Sequence, residues 1–179
     1  MRKRQDSQAL NDAVIRAALR ARLLKEHSDQ SNTVFVEELG LCRGTVRADL
    51  TVVNGSIHGY EIKSDRDSLR RLAHQASIYG RVFDRATLVV GDRFLSAADI
   101  LPAWWGILHA RQTSKGLEFR TIRKARLNRH KDPRALVELL WSDQALAILE
   151  QRGAARGVRT KARRFVWDRV CAELSVREI

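Results

Sequence analysis

The sequence predicts an α/β fold in which a sheet is flanked by helices. Two short runs rich in β-branched residues, 46–53 and 57–63, are joined by Asn54-Gly55, and an Asn-Gly pair in that setting is the strongest short-range signal for a β-hairpin. Apolar residues recur at helical spacing before the hairpin and again after it, which predicts a helix on each side. With one further strand before the hairpin and one after the second helix, the predicted order is α-β-β-β-α-β.

The first helix is predicted over residues 9–26, where apolar residues recur every three to four positions. Its predicted buried stripe consists of Leu10, Val14, Ala17, Ala21 and Leu24. The short β-branched run 33–38 predicts the first strand, and residues 40–44, bounded by glycines, predict the turn into the hairpin. Along the next strand, alternation places one set of apolar residues on a single face: Val46, Ala48, Leu50 and Val52.

Beyond the hairpin, the pattern predicts a helix followed by further strands. Polar residues at 64–68 offer several N-cap oxygens for that helix. The predicted elements are a helix at 69–81, a strand at 85–90, a short helical piece at 95–101, and strands at 105–110 and 117–122. We expect these elements to complete a domain over residues 1–125.

The C-terminal third is basic and is predicted to be helical. Residues 123–131 are polar and basic and predict a linker, and Asp132-Pro133 predicts a helix start because proline is favoured at the first helical position. Helices are then predicted at 136–141, 142–150 and 160–174. We therefore expect a basic helical extension over residues 126–179, packed on the first domain or linked to it.

Charge indicates a polyanionic partner. The formal net charge is +12, and nucleic acid is the commonest polyanion that such an excess attracts. The basic residues are spread along the chain instead of lying on one amphipathic helix, which disfavours a membrane surface. No apolar run reaches the length of a membrane span, the N-terminus lacks the core of a signal peptide, and the two cysteines form no metal-ligand pattern. We expect a cytoplasmic protein.

Three residues of the hairpin form a candidate catalytic group. Asp49 lies in the first strand, while Glu61 and Lys63 share a face of the second because residues two apart always do. Phosphodiester hydrolysis needs a cation that neutralises developing charge and lowers the pKa of the attacking water. Mg²⁺ is bound by few protein carboxylates, and Asp49 and Glu61 would supply such a pair. The Ile62 carbonyl would give a third oxygen, and Lys63 would orient the water, help deprotonate it or stabilise the transition state.

A Glu-x-Lys triplet alone carries little weight, because it arises by chance in roughly every second chain of this length. The acid on the paired strand, the apolar surroundings and the polar-capped helix that follows favour a functional interpretation. That helix carries Gln75 and Tyr79, which are four apart and so lie on one face, with Arg71 one turn earlier. The alternative is that Tyr79 belongs to the core and that Gln75 is its solvated neighbour.

Asp49, Glu61-Ile62-Lys63 and Gln75-x-x-x-Tyr79, in α-β-β-β-α-β order, resemble the PD-(D/E)XK nuclease superfamily. The resemblance is strongest to the RecB-like branch whose motif ends in Q-x-x-x-Y, and extends to a group of small stand-alone bacterial members. It implies a restriction-endonuclease-like fold with a mixed central sheet. One departure is Ala48, which stands where the superfamily has proline.

The resemblance also implies roles for individual residues. Asp49 and Glu61 would be metal ligands for Mg²⁺, with Mn²⁺ as a substitute, and Lys63 would be the catalytic lysine. Gln75 and Tyr79 would support them as further catalytic residues. Members often carry one more acid ahead of the Asp. Glu38 is our choice, because its strand would run antiparallel to that of Asp49, and the rivals are Glu37 and Glu26.

Several basic residues are candidate nucleic-acid contacts. Arg47 shares a strand face with Asp49, and Arg71 precedes Gln75 by about one helical turn. The predicted C-terminal helix adds Lys161, Arg163 and Arg164, for which the alternative is a solvated face. At least one tryptophan of the pair 104–105 is expected in the core. The histidines form no pair at ligand spacing, which argues against zinc.

The functional prediction is Mg²⁺-dependent hydrolysis of DNA phosphodiester bonds, in repair, restriction or phage-related DNA processing. The first alternative is a nucleic-acid-binding module that does not cleave, or a subunit of a larger DNA-processing complex. The second is a helical DNA-binding regulator led by the C-terminal helices. The expected partners are DNA and either a second copy of the chain or a larger complex, and no membrane.

Overall fold

The computed structural model describes residues 10–179, and a six-stranded sheet with helices on both sides forms its centre. The strands are β1 (Val34–Leu41), β2 (Val46–Val53), β3 (Ile57–Lys63), β4 (Arg85–Val90), β5 (Gly106–Thr113) and β6 (Gly116–Arg123). The helices are α1 (Asp12–Glu26), α2 (Leu72–Val82), α3 (Pro133–Val137), α4 (Ser142–Gln151) and α5 (Arg163–Glu173), with a 3₁₀ helix at Asp92–Asp99. The predicted start of the first helix at residue 9 lies outside the described residues, as do the first nine residues of the predicted domain.

The sheet is mixed, and its strands lie in chain order. β1, β2 and β3 pair antiparallel, β3, β4 and β5 pair parallel, and β6 returns antiparallel to β5. The predicted α/β class and the order α-β-β-β-α-β are both confirmed. The predicted hairpin is also present: the Asn54 N–H donates to the Ser56 carbonyl at 3.1 Å, and Gly55 has a φ of +79°, which glycine adopts without strain.

Two hydrophobic clusters cover the two sides of the sheet. α2 packs on one side and α1 on the other, and β3 alternates between them, with Gly59 against Phe83 of the α2 side and Tyr60 and Ile62 on the α1 side. The predicted stripe of α1 is wrong except at Leu10, which is buried in the α1-side cluster. Val14 is 47% exposed and Leu24 39% exposed, and the buried residues of α1 are Ile15, Leu19 and Leu23. Two apolar stripes overlap on this helix, and the buried one offers three large side chains where the predicted one includes two alanines.

The predicted single face of β2 is divided. All four of its residues are buried, but Val46 and Ala48 join the α2-side cluster while Leu50 and Val52 join the α1-side cluster. The change of side coincides with Glu38 of β1, which has a φ of 53° and interrupts the β1–β2 pairing opposite Asp49. A left-handed residue within a strand alters the local twist, and here it does so at the candidate site.

The C-terminal helices pack on one another and on the α2 side of the sheet. Ala135 and Leu136 belong to the α2-side cluster, while α4 and α5 enclose a third cluster. The helix predicted at 136–141 is replaced by the shorter α3, whose cap is Asp132, as predicted. Within the predicted linker, the Asn128 side chain donates to the carbonyls of Gly80 and Phe83, which ties the segment to the end of α2. Among the described helices, none is long and apolar enough to cross a membrane.

Candidate active site

A cleft of about 360 Å³ opens where β2 and β3 diverge. The β2–β3 pairing ends at Leu50 and Tyr60, and beyond it the Asp49 side chain reaches across the gap. Its Oδ2 accepts a hydrogen bond from the Ile62 N–H at 2.6 Å. The N–H and C=O of one strand residue point to the same side, so the Ile62 carbonyl also faces Asp49. Asp49, Glu61, Ile62, Lys63 and Gln75 all line this cleft, as the sequence predicts.

Glu61 is the most deeply enclosed acid of the cleft, with only 1% of its surface exposed. Its three donors are Lys63 Nζ at 2.5 Å, Gln75 Nε2 at 2.5 Å and Tyr79 Oη at 2.6 Å. A buried carboxylate is stable only when it is paired and hydrogen-bonded, and here both oxygens have donors. The strand spacing of two and the helix spacing of four therefore bring four predicted residues into one network.

Tyr79 belongs to both the core and the network. Its ring is fully buried and lies against Trp105, with the ring centroids 5.0 Å apart. Burial, together with the charge of Glu61, raises the pKa of Tyr79 well above its ordinary value, so the hydroxyl stays protonated and donates a hydrogen bond to Glu61. Gln75 is buried and not solvated, and its Oε1 has no hydrogen-bond partner among residues 10–179.

Asp49 lies closer to solvent, with 18% of its side chain exposed. Burial and the nearby charge of Glu61 raise the pKa of Asp49, while the Ile62 N–H, Arg16 and Lys63 act in the opposite direction. The net result is a pKa above the ordinary value for Asp. Such a carboxyl ionises less readily than an exposed one, and an added cation nearby would stabilise its charged form.

Arg16 of α1 is the main residue of the cleft that sequence reasoning missed. Its guanidinium donates to Asp49 Oδ1 at 3.1 Å and to the Asp49 carbonyl at 3.0 Å. It also donates to Glu38 Oε1 at 2.6 Å and to Asp12 Oδ2 at 3.0 Å. The signal in the sequence was the Asp12–Arg16 pair, whose i, i+4 spacing places an acid and a base side by side on one face of the helix.

The additional acid predicted at position 38 does line the cleft, whereas its two rivals do not. Glu37 pairs with Arg20 at 3.0 Å, and Glu26 pairs with Arg22 at 2.6 Å. Glu38 is held by Arg16 and, at 3.3 Å, by Arg47. Asp12 is a further acid of the cleft that the sequence analysis did not consider.

The donor set fits a hard cation better than a zinc ion. Asp49 and Glu61 supply two carboxylates, and the Ile62 carbonyl faces the same gap. Within the described part of the chain, no group of three or more His, Cys, Asp or Glu side chains is placed to hold a metal. Mg²⁺ suits this arrangement because it takes one or two carboxylates and fills its other positions with water and phosphate oxygens.

Comparison with known proteins places the chain in a family. Residues 5–179 match the family model described as bacteriophage P4 protein cII. The chain belongs to the bacteriophage P4 protein cII family. Protein cII of Enterobacteria phage P4 is 28% identical over 124 residues, which are 69% of this chain and 47% of that protein, so the chain spans about half the length of this relative.

A solved structure is also similar to this member of the cII family. It is the SPO1766 protein of unknown function from Silicibacter pomeroyi, which is 26% identical. The match covers 83% of this chain and 92% of that one, with a TM-score of 0.49.

The predicted nucleic-acid contacts divide into two groups in this family member. Arg47 and Arg71 line the cleft together with His74, and the Arg47 side chain is 69% exposed. The residues Lys161, Arg163 and Arg164 do not line it. Two of them lie over aromatic rings of α5, Arg163 over Trp167 and Arg164 over Phe165. The structure therefore does not bring the C-terminal basic residues to the catalytic candidates.

Proposed function

We propose that the protein is a cytoplasmic Mg²⁺-dependent nuclease of the PD-(D/E)XK type that hydrolyses DNA phosphodiester bonds. The observation that carries the proposal is the enclosed Glu61, hydrogen-bonded to Lys63, Gln75 and Tyr79 in the same cleft as Asp49. A purely structural salt bridge between Glu61 and Lys63 would not require Asp49 nearby. The charge of Glu61 makes Asp49 harder to ionise. Ionisable groups in a cleft whose neighbours disfavour their charged form are typical of functional sites.

Asp49 and Glu61 would hold the Mg²⁺, with the Ile62 carbonyl beside them. The ion supplies charge neutralisation at the phosphate and lowers the pKa of a bound water. Gln75 and Tyr79 fix the orientation of Glu61 through their hydrogen bonds. Lys63 places a cationic donor at Glu61 Oε1, where it offers a hydrogen bond to a water or to a phosphate oxygen.

The rim of the cleft fits a polyanion. Arg47, Arg71 and His74 line it, and their positions would let them contact phosphates on either side of the bond to be cut. The net charge of +12 adds long-range attraction. Phosphate contacts position a nucleic acid without reading its sequence, so this rim supports binding to DNA of any sequence.

One observation favours a second candidate, a nucleic-acid-binding module that does not cleave, alone or within a larger complex. Arg16 already satisfies Asp12, Glu38 and Asp49 through hydrogen bonds, so these acids need no metal ion to be stable. In this candidate the Arg16 contacts are permanent and the basic rim alone carries the function.

Cleavage assays separate the two candidates. Labelled linear, circular and branched DNA is incubated with the protein in Mg²⁺ and in Mn²⁺. We expect wild type to cut, and Asp49→Asn and Lys63→Met each to cut at least about a hundredfold more slowly, because they remove interactions made chiefly in the transition state. Lys115→Met is the matched control, because Lys115 is exposed in the β5–β6 turn. Absence of cutting by wild type with either ion, on any of these substrates, would favour the binding module.

A further inference from the structure

Arg16 occupies the position of a counter-ion within the candidate metal site. Its guanidinium contacts three carboxylates and one carbonyl at distances of 2.6 to 3.1 Å. Burial would lower its pKa, but the hydrogen bonds to Asp12 and Glu38 and the charge of Asp49 raise the pKa above the ordinary value for Arg. The guanidinium is therefore always charged, and it neutralises acids in the place where a divalent cation would do the same.

Arg16 has two acidic partners in addition to Asp49. The bond to Glu38 is 2.6 Å long, and Asp12 receives two bonds, from Nε at 3.3 Å and from Nη2 at 3.0 Å. Asp49 also receives two bonds, at its carbonyl oxygen at 3.0 Å and at Oδ1 at 3.1 Å. Asp12 and Glu38 therefore give Arg16 two partners outside the hairpin gap that would retain it if the contact with Asp49 were lost.

We propose that Arg16 is an internal cation that competes with the divalent metal ion for Asp49, and so sets the metal concentration at which the site is loaded. The proposal rests on the proposed function and concerns the regulation of that same site. In the metal-free protein, Arg16 holds the acids together and prevents their mutual repulsion. On loading, the Asp49 Oδ1 contact is exchanged for the ion, while Asp12 and Glu38 keep the guanidinium.

Metal binding to an Arg16 variant tests this directly. Isothermal titration with Mn²⁺ at pH 8 is performed on full-length wild type, Arg16→Met and Arg20→Met. Arg20 lies one turn further along α1 and pairs with Glu37 outside the cleft. Arg20→Met is therefore the matched control, because it also removes one ion-paired arginine. We expect the dissociation constant of Arg16→Met to fall about tenfold, within the usual range of coupling between two ligands. Arg20→Met should match wild type.

The outcomes separate the two proposals. If wild type binds Mn²⁺ but Arg16→Met binds it no more tightly, Arg16 does not compete and this inference is wrong, while the nuclease proposal stands. If none of the three proteins binds Mn²⁺, both are wrong.

A second measurement uses wild type alone, in case Arg16→Met does not fold. The side-chain NMR signals of Arg16 are followed during a Mg²⁺ titration. We expect the Nη signals to shift or broaden as the Asp49 contacts are lost. The Nε signal should stay unchanged, because Nε keeps its hydrogen bond to Asp12. Nη signals that stay unchanged at saturating Mg²⁺ would overturn the inference.

Discussion

The two sides of β3 both carry polar groups that are largely shielded from solvent, and these groups are charged on one side and neutral on the other. On the α2 side, Glu61 and Lys63 form an ion pair at the wall of an open cleft. On the α1 side, His58 and Tyr60 stack with ring centroids 4.3 Å apart, and His58 Nε2 lies 2.9 Å from the Thr87 hydroxyl. Burial, with the charges of Arg85 and His27, lowers the pKa of His58 to about 4, so the imidazole is neutral at pH 7.

This difference teaches how one strand supports both structure and chemistry. The α1 side avoids the cost of buried charge by keeping its groups neutral, as in an ordinary core. The α2 side keeps a carboxylate and an ammonium in contact, an arrangement that often adds no stability over apolar residues of the same volume. The α2 side of β3, which keeps a charged pair at a cleft, is therefore the side where function is to be sought.

The pH dependence of stability offers the largest expected effect. The pKa of His58 is about 4 in the folded protein and 6.5 when unperturbed, so the unfolded chain binds the proton more readily. The contribution of neutral His58 is therefore fully present above pH 6.5 and is lost as pH falls towards 4, by about 3 kcal/mol at pH 4. Urea unfolding of wild type and His58→Gln at pH 7 and pH 4.5 measures it as the difference between the two proteins. Equal losses in both proteins would show that His58 is not buried in the neutral form.

Two buried tyrosines give a matched pair across the sheet. Tyr79→Phe removes a donor from Glu61 and should lower the free energy of unfolding by about 1.5 kcal/mol, because a charged acceptor loses its partner. Tyr60→Phe removes only a 3.3 Å contact between its hydroxyl and neutral His58 and should cost about 0.5 kcal/mol. Chemical denaturation compares them. A larger loss for Tyr60→Phe would reverse the assignment of the two sides.

Charge removal on each side gives the smallest effect and tests whether the cleft side is the one that contacts DNA. The double variant Arg47→Gln/Arg71→Gln changes the cleft rim, and Arg85→Gln/Lys124→Gln changes the rim of the smaller cleft beside His58. Each removes two positive charges. We expect only Arg47→Gln/Arg71→Gln to reduce the slope of the logarithm of the DNA association constant against the logarithm of the salt concentration, by about 2. Only those two arginines would neutralise DNA phosphates. Equal reductions would place the DNA on both sides of the sheet.

Local spacing explains which parts of the site could be predicted from the sequence. Glu61 and Lys63 share a face because a strand repeats every two residues, and Gln75 and Tyr79 because a helix brings every fourth residue back. The spacing of Asp12 and Arg16 pointed only to a pair within the helix, since the other partners of Arg16, Glu38 and Asp49, are 22 and 33 residues away along the chain. The left-handed Glu38 is likewise set by the packing of the hairpin, because its residue type does not favour that conformation. The misassigned stripe of α1 has the same origin: the sheet selects one of two apolar faces.

Asp49 completes a row of backbone hydrogen bonds with a side chain. Its carboxylate accepts from the Ile62 amide at the point where the β2–β3 pairing stops. Any event that changes the charge or position of this carboxylate must therefore change the environment of one peptide N–H group. The chain consequently contains its own spectroscopic probe: the proton shift and the exchange rate of the Ile62 amide would register the state of the cleft without a label or an added chromophore.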